Sequence, residues 1–390
     1  MAENQPENKH RMNKELSNFA ARLRETICTV SREGREAGEG KKVPSHLPRD
    51  LPERQFSEFA LELFALQFKY NSAYRKICEA RKLTPQVVEH WTQIPFMPTS
   101  AFKELELTSL APPERAAVFY SSGTTEQKPG RHFHCPASLE LYGTSLWRWF
   151  ELNYELRIAN CELVILTPPP EQAPHSSLVH MFKTVRQKIG DAGVAASRAE
   201  FVGKLTDGAW ALDFDAVLAA LNHSQFTIRN SQLILGTAFS FVHLLDYLAE
   251  NNLRFNLPAG SRVMETGGYK NRSRTMPKVE LHALITERLG VPRENIICEY
   301  GMSELSSQAY AKSSGSFQFP PWARAQLVSP ETGREVGDGE TGLIRIFDLA
   351  NIFSVAAIQT EDLGIRRGDG FELVGRAQFA EPRGCSLMTT

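Results

Sequence analysis

The chain has 390 residues, 42% hydrophobic and 23% charged, and its 44 Lys plus Arg against 45 Asp plus Glu give a formal charge of −1. This is a globular composition that leaves no global field to draw the chain to nucleic acid or to an anionic membrane. The length suggests two or three domains or lobes, and no run of about 18 apolar residues argues for a membrane-spanning helix.

Residues 1–50 read as a polar, loosely helical lead-in and a turn-rich linker, with no apolar secretory core and no visible chemistry. From Pro52 onward, Phe56, Phe59, Ala60, Leu63 and Phe64 recur at helical spacing and predict an amphipathic helix. Thr84 as N-cap and Pro85 at the first helical position predict another helix over TPQVVEHW, ended by the prolines of IPFMPTS. AAVFY (116–120) and CELVILT (161–167) read as short buried strands. Beyond them helices (SLVHMFKTVRQKIG, DFDAVLAALNH, FSFVHLLDYLAENN, PKVELHALITERLG) alternate with strands (SQLILG, SRVMETGG, ENIICEYG). That alternation predicts an α/β fold with mostly parallel sheets. After about Gln318 helical patterning gives way to hairpin-like β-structure. The expected organisation is a lead-in (1–50), a first α/β subdomain (51–235), a second (236–317) and a β-rich region (318–390). The six cysteines are dispersed with no CxxC pair, which suggests reduced thiols in a cytoplasmic protein without a disulfide framework or zinc finger.

Four stretches can carry chemistry. Ser121, Ser122, Gly123, Thr124 and Thr125 follow a strand, and their hydroxyls and free backbone N–H groups suit an oligophosphate, although such clusters also make plain turns. Glu299 to Glu304 (EYGMSE) closes another strand, where open parallel sheets collect ligands. Tyr300 can cover a flat base, Ser303 can bond a phosphate oxygen, and Glu304 can offer Mg²⁺ a hard oxygen; a strand end with Ser303 as a helix N-cap is the plainer alternative. Gly267 and Gly268 permit close backbone approach to a planar ligand or mark a turn. Asp362 can take both hydroxyls of a ribose or sit in an ordinary hairpin. His132 and His134 share one strand face without a third ligand at suitable spacing, and His175 and His180 read as surface residues. Burial in strands accounts for Cys135 and Cys298. The aromatics of YGTSLWRWFELNY (142–154), with Phe239 and Phe241, are core or the lining of an apolar slot. There is no GxSxG elbow, no P-loop and no GxGxxG.

The order SSGTT, GG, YGMSE, TED and then GR resembles the adenylate-forming enzymes: acyl-CoA synthetases, adenylation domains and luciferases. IPFMPTSAFKE, LGTAFS, METGGYK, DLANIFSVAAIQTEDLG and the ending RGCSL look like one branch of them. That branch is the acyl-protein synthetase of the bacterial bioluminescence fatty-acid reductase system, and the likeness runs from about Pro52 to Thr390.

The resemblance implies ATP and Mg²⁺ as cofactors and a fatty acid or similar carboxylic acid as substrate. It places the phosphates on Ser121 to Thr125, with Thr124 catalytic, and Mg²⁺ on a catalytic Glu304. It also places the α-phosphate on Ser303, the adenine at Gly267, Gly268, Tyr300 and Gly301, and the ribose at Asp362 with Arg376 nearby. A cysteine near the C-terminus, here Cys385, would accept the acyl group as a thioester and pass it to an acyl-accepting reductase or carrier protein. No nucleic acid and no stable membrane insertion are expected. Two departures stand out: Lys128-Pro129-Gly130 reverses the usual Pro-Lys order, and the 14 residues after Arg376 leave no room for a lid domain with its catalytic lysine. Lys270 and Arg366 are candidates for the missing cation. The competing readings are a ligase that hands the acyl group directly to coenzyme A or a carrier, and a catalytically silent nucleotide- or acyl-binding partner of a reductase.

Overall fold

The computed structural model describes residues 5–36, 51–121, 128–154, 161–191, 199–206, 208–226, 231–268, 273–312 and 315–377. The N-terminal lead-in is more ordered than its polarity suggests, because α1 (Gln5–Glu36) is a 32-residue helix. Leu16, Phe19, Leu23 and Ile27 recur every three or four residues and are fully buried in the same apolar cluster as α2 (Glu53–Tyr70). Each such side chain contributes roughly 1.5–3 kcal/mol. Packing, rather than the propensity of a polar segment, therefore holds this helix. The Phe19 ring meets Phe59 edge-on at 5.7 Å, and Lys69 Nζ bonds Glu15 Oε2 at 2.8 Å.

Asn71 caps α3 (Ser72–Ala80), its side chain accepting from the Tyr74 N–H at 3.1 Å. The helix expected over TPQVVEHW does not form. The N–H groups of Val87 and Val88 both bond Thr84 O, making a single turn, and a short 3-10 turn (Trp91–Gln93) follows. Only Val88 and Trp91 reach the core while Val87 is 56% exposed, so no apolar stripe rewards the Thr-Pro start signal.

β1 (Met97–Pro98) and α4 (Ala101–Glu104) lead to β2 (Ala117–Tyr120), which pairs antiparallel with β3 (Arg131–His134) as a separate hairpin. The expected buried strand at 116–120 is thus half-exposed, with the Tyr120 side facing outward. α5 (Pro136–Tyr154) buries the aromatic stretch in the core, Phe150 stacking on Tyr154 at 4.2 Å.

The central sheet contains β4 (Cys161–Ile165), β5 (Ala199–Phe201), β8 (Ser231–Thr237), β9 (Arg262–Thr266), β10 (Ile296–Tyr300) and β11 (Ala309–Ala311). A small hairpin, β6 (Gly203–Thr206) with β7 (Ala209–Leu212), lies outside it. The order is β11-β10-β9-β8-β4-β5, parallel except for the β10–β11 pair, and the sheet runs unbroken past residue 235. The intervening helices are α6 (Ser177–Asp191), α7 (Phe214–Phe226), α8 (Ala238–Glu250) and α9 (Lys278–Leu289). α7, α8 and α9 share a second apolar cluster with Val164, Ile234, Val263 and Ile296 of the sheet.

The β-rich region forms a second sheet from β12 (Ala323–Val328), β13 (Thr341–Asp348), β14 (Ala357–Arg367) and β15 (Gly370–Arg376). β14 is central to it, paired with β13, β15 and, in parallel, β1. The Met97↔Ile358 register thereby ties the segment before the hydroxyl loop to the strand that carries Asp362.

Candidate active site

The C-terminal ends of β9 and β10 meet the near edge of the second sheet, and the described site residues converge there. Gly267 (φ +66°) and Gly268 are exposed just past β9. One strand over, Tyr300 ends β10 with its ring among Phe317, Phe319 and Phe371, and its hydroxyl donates to Asp362 Oδ2 at 2.8 Å. That bond joins two predicted elements 62 residues apart. Asp362 is aligned by its own N–H, which donates to Thr360 Oγ1 at 3.0 Å, and it pairs in register with Arg376. Burial raises the Asp362 carboxyl above its usual range, and Arg376 opposes part of that shift.

Beyond Tyr300 the chain does not enter a helix, so Ser303 is not an N-cap. Residues 301–308 form a turn, buried from Ser303 onward, in which Ser303 Oγ donates to Glu304 Oε2 at 3.0 Å. Glu304 is 5% exposed, and burial raises its carboxyl; Glu361 reinforces the shift and Lys103 opposes it. A Cβ placed on Gly130 would lie 3.0 Å from Glu304 Oε1 and 3.0 Å from Ser121 Oγ. Ser121 Oγ in turn accepts from the Gly130 N–H at 2.7 Å, so the stem of the hydroxyl loop stands directly against Glu304. Ser122, Gly123, Thr124 and Thr125, like Lys270 and Cys385, lie outside the described residues.

Several supports escape sequence reasoning. The turn that carries Glu304 hangs from the loop after β13. Asp348 accepts from Ser306 N, Ser307 Oγ and Ala350 N at 2.8, 2.8 and 3.0 Å, and Asn351 Nδ2 donates to Glu304 O at 2.7 Å. Gln67 of α2 holds that loop in place, donating to Asn351 O at 2.8 Å and accepting from Ala356 N at 3.1 Å. His132 Nδ1–H donates to Ser303 O at 2.7 Å, and burial lowers its pKa to about 4, so the ring is neutral. His132 and His134 do share one strand face, their rings 4.2 Å apart. His180 is not a surface residue; it is partly buried against Phe119 and Tyr142, and burial lowers its pKa to about 4. Arg366 is committed to Glu335 Oε1 and Val336 O at 2.7 and 2.8 Å, which leaves Lys103 and Arg376 as the described cations acting on the site carboxylates.

Glu299 sits beneath the glycine turn, accepting from Thr266 Oγ1, and burial pushes its carboxyl up to about 7. Its unfolded value is near the usual 4.5, so the folded state binds the extra proton between these limits. Stability is then fullest below pH 4.5 and falls as pH rises through about 7. At 1.36 kcal/mol per unit the loss is about 3 kcal/mol. We predict that Glu299→Gln flattens this decline and is the more stable chain at pH 8. Parallel thermal melts of the two chains from pH 5 to 8 would refute this if their curves kept a constant separation.

Residues 42–133 and 173–390 match the family described as acyl-protein synthetase, LuxE. The chain is 25% identical over 347 residues to the long-chain-fatty-acid–luciferin-component ligase of Aliivibrio fischeri, covering 84% of this chain and 85% of the relative. To the Vibrio harveyi protein of the same name it is 26% identical over 336 residues, covering 83% and 84%. Among solved structures it resembles 2-hydroxyisobutyryl-CoA ligase in an open conformation with 2-HIB-AMP and CoA. The TM-score is 0.64 at 14% identity, over 89% of this chain and 76% of that one. The same ligase in its postadenylation state gives 0.64 at 15% identity, over 88% and 74%. The α/β fold with a β-rich second sheet is thus that of adenylate-forming CoA ligases, and with the family match covering most of its length the chain belongs to the LuxE acyl-protein synthetase family.

Proposed function

We propose that this chain activates a fatty acid, or a similar carboxylate, as its acyl-adenylate, then loads the acyl group onto Cys385 for delivery to a reductase or carrier protein. The observation that carries the reading is that three distant stretches of chain meet: Ser121 and Gly130 stand against Glu304, and Tyr300, four residues before Glu304, bonds Asp362.

In the first half-reaction a carboxylate oxygen attacks the α-phosphorus of ATP, an acyl–phosphate bond forms, and pyrophosphate leaves. Such a step needs alignment and charge neutralisation more than covalent help from the protein. Asp362, held by Tyr300, would take the ribose hydroxyls, and the Gly267–Gly268 turn and Gly301 would border the adenine. Ser121 to Thr125 would hold the terminal phosphates and Ser303 the α-phosphate. Gly130, lacking a side chain, lets its backbone approach Glu304 Oε1 and Ser121 Oγ closely without crowding them, and the Glu304 carboxylate offers the hard oxygen that Mg²⁺ prefers. Mg²⁺ held there by Glu304 would neutralise charge on those oxygens. Lys103, near enough to favour the ionised form of Glu304, and Arg376 would supply the remaining positive field.

In the second half-reaction the Cys385 thiol gives up its proton, sulfur attacks the acyl carbonyl carbon, and AMP leaves. The thioester keeps the acyl group activated for onward transfer. The experiment is intact mass after incubation with ATP, Mg²⁺ and a panel of carboxylic acids, alongside ATP–pyrophosphate exchange. We expect exchange, together with a mass gain of one acyl group that hydroxylamine removes and that Cys385→Ala lacks. Brisk exchange by the wild-type chain without any mass gain would dismiss the thioester step in favour of direct transfer to coenzyme A or a carrier. Absence of exchange with every acid would point to a silent binding protein.

A further inference from the structure

On the face of the central sheet that α9 covers, three side chains of different chemistry meet without an assigned role. Glu265 of β9 and Cys298 of β10 are register partners on adjacent strands, so both project toward α9, where His282 faces them. All three are buried, at 3%, 4% and 7% exposure. One oxygen of Glu265, one sulfur and one ring nitrogen lie within 4.8 Å of one another. His282 Nε2 stands 3.7 Å from Cys298 Sγ and 3.7 Å from Glu265 Oε2, and Glu265 Oε2 is buried with no hydrogen-bond partner.

A nucleophilic Cys–His–Glu relay would engage the two different nitrogens of the imidazole, one toward sulfur and one toward the carboxylate. Here both partners approach the same Nε2, so the three donor atoms point at a common centre instead of forming a chain. Ligand-to-metal lengths of about 2.3 Å for sulfur and about 2.0–2.1 Å for nitrogen and oxygen, at tetrahedral angles, separate donor atoms by roughly 3.4–3.6 Å. The two separations from His282 Nε2, 3.7 Å each, need only a few tenths of an ångström of closure, and the Glu265 oxygen and Cys298 sulfur lie within 4.8 Å of each other. A soft thiolate with imidazole and one carboxylate selects a borderline divalent ion over Mg²⁺ or Ca²⁺. The ammonium of Lys278 faces the sulfur and would offset the second negative charge that arises when the thiol ionises.

We infer that Glu265, His282 and Cys298 form a binding site for a zinc-like divalent cation, separate from the Mg²⁺ position at Glu304. Three ligands come from the protein, a fourth position is left to water, and binding releases the Cys298 thiol proton to solvent. The ion would staple the ends of β9 and β10, which carry the glycine turn and Tyr300, to α9. Buried Cys298 thereby has a reason beyond packing.

The test is to express the full chain in medium supplemented with zinc or cobalt, purify it without a metal-affinity tag, and measure metal content by mass spectrometry and absorbance. We expect about one equivalent of metal per chain. The cobalt form should show a sulfur-to-cobalt charge-transfer band and the intense d–d bands of a four-coordinate centre. Cys298→Ser should abolish the charge-transfer band, and His282→Gln, which removes a direct ligand, should lower metal affinity by more than the roughly 10–100-fold that losing an outer-shell partner costs. Cys28→Ser should change neither. Metal below about a tenth of an equivalent in the wild-type chain, or a band that survives Cys298→Ser, overturns the inference. The wild-type measurement decides the matter even if one variant fails to fold, and it is independent of whether the chain adenylates a carboxylate.

Discussion

Glu304→Gln is expected to reduce ATP–pyrophosphate exchange by about 10²–10³-fold, the usual consequence of removing one group that stabilises transition-state charge. The substitution preserves shape and an acceptor for the Ser303 hydroxyl while removing the negative charge. Burial already raises the Glu304 carboxyl, so ionising it costs folding free energy, and the amide relieves that cost. Loss of exchange should therefore accompany an unchanged or slightly raised thermal midpoint. Such a combination separates a group placed for chemistry from one placed for packing. Exchange within about threefold of wild type at saturating Mg²⁺ would remove Glu304 from the mechanism.

Asp348→Ala should act through the opposite signature. Its carboxylate accepts from two backbone N–H groups and the Ser307 hydroxyl, all buried, and these lose that acceptor together. We expect a loss of about 3–5 kcal/mol, the range for stripping one member from a buried polar network. In a chain of this size that is a drop of roughly 4–6 °C in the thermal midpoint. The turn bearing Glu304 would loosen as well, so exchange should fall even at temperatures where the chain remains folded. Asp348→Asn keeps one acceptor oxygen and should fall between. A folded Asp348→Ala chain that exchanges at the wild-type rate would show that the turn holds its shape without this anchor.

The parts of the fold readable from sequence are those where burial and period coincide. CELVI and SQLILGT are built on the apolar triplets 163–165 and 233–235 and become central parallel strands, and Gly290 stops α9 in the left-handed conformation such an end requires. The stripe of α1 is thinner: four large apolar residues over twelve positions in a polar and charged background, which reads as surface until a partner helix is known. TPQVVEHW shows the converse, a good local start signal with no core-facing stripe to sustain it. At the site, Tyr300, Ser303 and Glu304 are legible because they end a strand, and Asp362 because of its company in TEDLG. Asp348 and Gln67 carry no such mark. They act across 41–42 and 284–289 residues of chain, respectively, through bonds to backbone and hydroxyl groups that no local spacing encodes.

The empty space at Gly130 bears on how relatives of this chain can be sorted. A methyl group there would press on Glu304 and Ser121 at once, with the Cβ of buried Phe102 only 3.4 Å away. On the role proposed for Glu304, drift at this codon would weaken catalysis while leaving a folded product for the cell to keep. A homologue bearing any larger residue at this point is a candidate for a retired enzyme, preserved for its surface rather than its chemistry.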